Sequence, residues 1–93
     1  MISPNIGRNL LDPGLAFGKV LREVRKESGL TQEQLALAAD IDRTFVSLIE
    51  RGERQPTVRV LFKIAVAMHV SAARLIQMTE DEVRACLNRP GSS

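Results

Sequence analysis

The chain has 93 residues, a formal net charge of +2, one Cys, one His, and 44% apolar but only 3% aromatic residues. That length allows one small domain; a lone Cys excludes an intrachain disulfide, and one His with one Cys cannot supply the four ligands of a structural zinc site. No stretch approaches the roughly 18 apolar residues of a membrane span, and no charged segment precedes a long apolar run near the start, so no span and no signal peptide are expected, and a reducing cytoplasm is.

The abundance of Ala, Leu, Arg and Glu with few aromatics favours helix over sheet and an aliphatic core. Residues 1–14 contain two Pro, two Gly and two Asn. They read as a loose arm, with Arg8 as its basic residue and Leu10 and Leu11 as candidates for packing on the domain edge. A first helix is expected from Leu15 to Ser28, with Phe17, Val20, Leu21 and Val24 on one face and Gly29 as its terminator. A second begins after Thr31, which forms a capping box with Gln34; Leu35 and Ala39 point inward and Ala36 suits a close helix crossing. Asp40 and Ile41 make the turn. A third helix follows the N-cap Asp42 and runs to about Arg51, burying Val46 and Ile49 with Phe45 at the edge.

Thr57 should cap a fourth helix whose core side is Val58, Leu61, Phe62, Ala65 and Met68, and Ser71 a fifth with Leu75 and Ile76 inward. Thr79 with Glu82 reads as a further capping box, opening a short sixth helix to about Asn88 with Val83 and Leu87 as its apolar pair. Arg89 to Ser93 reads as a tail. The expectation is an all-α fold of five helices and a short sixth around one core: an arm (1–14), a central domain (15–78) and a C-terminal helix and tail (79–93).

The stretch from Thr31 to Arg51, two short helices meeting at a tight turn, has the form of a helix-turn-helix. The 3.6-residue period places Arg43, Thr44, Ser47 and Arg51 opposite the buried stripe of the third helix, with Leu48 close to that outer side. A major groove about 12 Å wide admits one α-helix. There Arg43 can pair with guanine O6 and N7, Thr44 and Ser47 can reach base edges, and Leu48 can meet a thymine methyl. Gln32, at a helix N-terminus, and Arg51, Arg54 and Arg59 are candidates for phosphate. From Arg43 to Lys63 five basic and two acidic residues leave a local charge of +3. By spacing alone, two capped helices with an aliphatic face are as ordinary in any all-α domain, and a charged outer face is commonly only solvated.

The runs LTQEQLA (Leu30–Ala36) and DRTFVSLIERGER (Asp42–Arg54), with Pro56–Thr57 and the apolar pattern through Leu75, resemble the phage repressor and Cro-type (Xre-type) helix-turn-helix family, and especially its small single-domain regulators and restriction–modification controller proteins. The resemblance spans about two-thirds of the chain. It implies a repressor-like DNA-binding domain with Arg43, Thr44 and Ser47 reading bases and with Thr31, Gln32 and Arg51 holding phosphates. It also implies an ion bridge between Arg25 and Glu50, so that Glu50 is structural. Two departures stand out. Asp40 occupies a turn position where Gly is frequent in that family, and Glu53 puts a negative charge near the phosphate line, where it is read as facing solvent.

Nothing in the chain resembles a Gly-rich phosphate loop or a nucleophile–base arrangement, so neither an enzyme nor a cofactor is expected. The expected function is a sequence-specific double-stranded-DNA-binding transcriptional regulator, a repressor acting as a homodimer on a near-palindromic operator. The dimer surface is placed on Ile76, Met78, Val83 and Leu87. An alternative is an antitoxin that holds a partner toxin and binds its own promoter.

Overall fold

Each of the four interior helix starts carries a side-chain cap. In a computed structural model, which describes residues 12–88, the Thr31 hydroxyl oxygen accepts the Gln34 N–H (3.0 Å) while Gln34 Oε1 accepts the Thr31 N–H (2.9 Å). Asp42 Oδ1 accepts the Thr44 N–H at 3.1 Å, the Thr57 hydroxyl accepts the Val60 N–H at 3.2 Å, and the Ser71 hydroxyl accepts the Arg74 N–H at 2.9 Å. These caps start helices α2 (Gln32–Ala39), α3 (Arg43–Glu50), α4 (Val58–Ala67) and α5 (Ala72–Asn88). Helix α1 (Pro13–Glu27) instead starts on Pro13 itself, whose missing N–H is harmless in a first turn. It therefore begins two residues before the Leu15 expected from the sequence. The rest of the expected arm, with Arg8, Leu10 and Leu11, and the tail from Arg89 lie outside the described residues.

Helices α1 to α4 all end the same way. One or two residues past the last helical residue the chain turns into the left-handed region: Gly29 (φ 75°), Asp40 (55°), Gly52 (75°) and His69 (59°). In each case that N–H and the following one fold back onto carbonyls of the last turn, as in Gly29 N to Lys26 O (3.0 Å) with Leu30 N to Arg25 O (3.1 Å). Leu30, Ile41 and Val70, the residues after three of these turns, pack against the core and so direct the chain back inward. Glycine occupies two of the four positions without strain; Asp40 and His69 adopt a conformation that disfavours side chains, Asp less than most.

Helix α1 packs against α3 and α5, α2 against α3 and α4, and α4 against α5. The core they enclose is aliphatic apart from Phe17: Val20, Leu21, Val24, Leu35, Ala36, Ala39, Val46, Ile49, Ile64, Ala65, Met68 and Leu75 are buried. The faces expected for α1, α2 and α3 are those observed. Helix α4 differs. Val58 and Phe62 are exposed and Ile64 takes the buried position, because this helix is apolar nearly all round and its periodicity does not select a face. Ile76 is likewise half exposed.

The separate sixth helix does not exist; α5 runs unbroken from Ala72 to Asn88. The Thr79 hydroxyl donates to the Leu75 carbonyl four residues back (2.8 Å) inside the helix rather than capping a new one. Glu82 reaches across to α1, accepting Lys19 Nζ at 2.8 Å, and thereby fastens the distal half of α5 to the domain. No single helix among the described residues is long and apolar enough to cross a membrane.

Helix α1 crosses the end of α3 at Gly18. A Cβ built there would sit 2.5 Å from the Ile49 carbonyl oxygen and 2.7 Å from that of Glu50, and both are backbone atoms that cannot swing aside. Alanine ordinarily stabilises a helix interior by about 1 kcal/mol over glycine. Gly18→Ala should do the reverse, destabilising the fold by about 1–3 kcal/mol as the helices are forced apart. Thermal or urea unfolding reads this directly; a midpoint at or above wild type would contradict the close crossing.

Candidate nucleic-acid interface

Helix α3 presents two unlike faces. Val46 and Ile49 are fully buried, while Arg43 and Thr44 are exposed and Ser47 and Leu48 half-buried on the outward side. Asp42, at the mouth of this helix, accepts the Thr44 N–H with its carboxylate and so caps the outward-facing start of α3.

The start of α2 lies beside the start of α3. Arg25, Thr31, Gln32, Glu33 and Arg43 line one open cleft of about 320 Å³ between them. The structure thus gathers three of the sequence-derived candidates, Thr31, Gln32 and Arg43, on one edge. It adds Glu33, in the first turn of α2, which the sequence reading did not single out. A basic side chain and a helix N-terminus sharing a cleft is an arrangement suited to an anionic backbone next to a groove.

Beneath that edge is a buried ion pair. Glu50 accepts Arg25 Nε at 2.6 Å and Arg25 Nη2 at 3.1 Å, so the guanidinium grips the carboxylate with two prongs. The two side chains are only 9% and 4% exposed. Gln32 Nε2 donates to Glu50 Oε1 at 3.0 Å, and Arg25 Nη1 donates to the Leu30 carbonyl at 2.8 Å. One cluster therefore joins α1, the turn after it, the start of α2 and the end of α3. Among the described residues no buried side-chain nitrogen or oxygen lacks a partner. Gln32, expected as a phosphate ligand, also carries this structural duty: its amide nitrogen is held by Glu50, and nothing in the sequence spacing of 18 residues signals that link.

The remaining basic candidates are arranged differently. Arg51 is exposed at the end of α3 and its Nε lies 3.4 Å from Glu53 Oε2, so Glu53 does not merely point to solvent as expected but faces Arg51. Both side chains are more than half exposed, and such a pair is weak and easily opened by a competing anion. Arg54 and Arg59 are exposed and make no ion pair among the described residues. Of the residues expected at a dimer surface, Leu87 is well exposed and Ile76 half exposed, whereas Met78 and Val83 are partly buried, Met78 against the core.

Comparison with known proteins adds to this geometry. Residues 21–75 match a family model described as helix-turn-helix. The control protein C.BamHI of Bacillus amyloliquefaciens is 38% identical over 66 residues, covering 70% of this chain and 82% of that protein. The crystal structure of the restriction–modification controller protein C.AhdI from Aeromonas hydrophila superposes with a TM-score of 0.65 at 38% identity, over 66% of this chain and 92% of that one. The restriction–modification controller protein C.Esp1396I, solved as a tetramer in complex with its natural 35-base-pair operator, superposes with a TM-score of 0.69 at 35% identity, over 81% and 95% of the two chains.

Removing one member of the buried pair strands the other. Glu50→Ala should destabilise the fold by about 3–5 kcal/mol, because Arg25 keeps its charge and loses its carboxylate. Urea unfolding monitored by circular dichroism measures this, and a free energy within error of wild type would show that the pair contributes nothing.

Proposed function

Because this chain belongs to the Cro/C1-type helix-turn-helix family of DNA-binding transcriptional regulators, we propose that it is a cytoplasmic repressor that reads a near-palindromic operator as a homodimer. The observation that carries the reading is the outward face of α3: Arg43 and Thr44 are exposed and Ser47 and Leu48 half-buried opposite the core stripe, and Arg43 borders the cleft at the start of α2.

In this reading α3 enters the major groove. Arg43, in its first turn, pairs with a guanine edge, Thr44 and Ser47 meet neighbouring base edges, and the Leu48 side chain touches a thymine methyl. Thr31 and Gln32 approach a phosphate at the start of α2, where backbone N–H groups and the helix dipole favour an anion. Arg51, Arg54 and Arg59 bind phosphates behind the recognition helix. For Arg51 this means exchanging Glu53 for a phosphate oxygen.

The size of the module favours two copies. A single module of this kind buries about 600–1,000 Å² of protein surface on DNA, less than the roughly 1,000–2,500 Å² of larger specific interfaces. A two-fold pair reads two half-sites about 34 Å apart, one turn of the duplex. The operator-bound tetramer of C.Esp1396I supports reading through several copies. The controller proteins among the relatives, together with a phage immunity repressor 31% identical over 62 residues, favour a regulator over an antitoxin.

Selection of bound duplexes from a randomised library, at about 150 mM salt so that pure phosphate binding is penalised, tests this. Enrichment of an inverted repeat is expected; a folded protein that enriches no sequence would overturn it. On the selected site, Arg43→Ala should cost about 1–3 kcal/mol and relax preference at one base position. Unchanged preference would remove Arg43 from the readout. Arg51→Ala should weaken all duplexes alike and reduce the slope of log affinity against log salt by about one; an unaltered slope would show that Arg51 touches no phosphate.

A further inference from the structure

The cleft at the start of α2 holds two charges that no partner absorbs. Arg25, Thr31, Gln32, Glu33 and Arg43 line it. Arg25 is engaged by Glu50, which also takes the Gln32 amide. Asp42, the acid next to Arg43 in sequence, accepts the Thr44 N–H. Glu33 and Arg43 are both exposed, and neither has an ion-pair partner among the described residues. One anion and one cation therefore share a single opening of about 320 Å³ without pairing.

Beside DNA, Arg43 has a choice of partners. A guanine edge in the groove offers it two acceptors and carries sequence information. A phosphate at the start of α2 offers it a full negative charge and carries none. That second partner is close at hand, because Thr31, Gln32 and the first turn of α2, which suit a phosphate, border the same cleft. Left unopposed, charge draws Arg43 toward the phosphate.

We propose that Glu33 is a specificity-determining residue: its carboxylate repels a phosphate drawn toward Arg43 and leaves the neutral guanine edge as the better partner. The inference rests on the operator-reading role above and adds a residue to it. The position suits the task. Glu33 stands in the first turn of α2, where a carboxylate complements the helix dipole and opposes the approach of another anion. The helix does not need it as a cap, since Thr31 and Gln34 supply both bonds of the capping box. A guanine carries no net charge, so the same carboxylate penalises the base contact far less. Like charges about 6 Å apart in water-like surroundings repel enough to change binding about threefold. That is small beside the whole affinity, but it acts on the ratio between an operator and every other sequence.

The test is equilibrium binding of the full chain, at about 150 mM salt, to three duplexes: the selected one, the same with the base pair read by Arg43 changed, and a scrambled one. Glu33→Gln should bind the selected duplex about as well as wild type and the other two about threefold more tightly, so that preference at that base pair falls by the same factor. In an Arg43→Ala background it should no longer alter the preference. Glu33→Asp keeps the charge and should keep the preference. Glu80→Gln removes an equal charge from an exposed pair with Arg84 on α5, and should leave the preference unchanged. Equal weakening of all three duplexes by Glu33→Gln, the mark of a merely structural residue, would overturn the proposal. Loss of preference at a different base pair would also overturn it, by making Glu33 a reader of bases itself. If Arg43→Ala relaxes the preference and Glu33→Gln does not, the role of Glu33 falls while the reading of α3 stands. A wild-type chain that enriches no sequence overturns both.

Discussion

The position of α3 depends on one buried ion pair. Glu50 is the last residue of α3 and accepts three hydrogen bonds, two from Arg25 on α1 and one from Gln32 at the start of α2. Taking two charges out of water is costly, and only good geometry with every remaining donor and acceptor matched makes it tolerable. Here that condition is met. The bidentate grip, the Gln32 amide and the Leu30 carbonyl together leave no stranded polar atom. The cluster draws on four separate segments, so α3 cannot swing relative to α1 and α2 without breaking it. An apolar contact in the same place would hold the helices together but would constrain their angle less, since a two-pronged hydrogen-bonded pair is directional.

Two further constraints let this pair form. The α1 backbone must come close to the end of α3, and Gly18 permits that by presenting no Cβ to the Ile49 and Glu50 carbonyls. The short helices must also stop abruptly enough to reverse direction. They do so through four left-handed turns of the same kind, two of them at non-glycine residues. Asp40 lies in the turn of the helix-turn-helix itself, so a modest backbone strain sits beside the site, held by the burial of Ala39 before it and the packing of the partly buried Ile41 after it. The outcome is an edge where Thr31, Gln32 and Arg43 share a cleft, built on a support that leaves the outward face of α3 unobstructed.

Much of this is legible in the sequence, for identifiable reasons. The faces of α1, α2 and α3 follow from apolar spacing because polar residues mark their other sides. Thr31, Asp42, Thr57 and Ser71 are readable as caps because a short hydroxyl or carboxylate before an apolar run has few other uses. The Arg25–Glu50 pairing was implied only by family resemblance; a separation of 25 residues carries no local signal. Helix α4 misleads because Val58, Phe62 and Val66 are as apolar as its buried face. Thr79 and Glu82 imitate a cap inside a continuous helix, although the absence of any Gly or Pro from Ser71 to Asn88 was a contrary signal. Pro13 reads as a breaker in the sequence, yet its fixed φ equally suits the first turn of a helix. Gly18 is silent in sequence, since a tolerated mid-helix glycine and a required one look alike until the crossing helix is seen.

A double-mutant cycle on Arg25 and Glu50, read as unfolding free energy, tests most directly whether the pair acts as one unit. If it does, Arg25→Ala and Glu50→Ala are each strongly destabilising, and the double variant is little worse than the weaker single one, giving a coupling near the upper end of the roughly 0.5–3 kcal/mol seen for contacting residues. Effects that simply add, to within about 0.5 kcal/mol, would contradict the account and leave the placement of α3 to apolar packing alone.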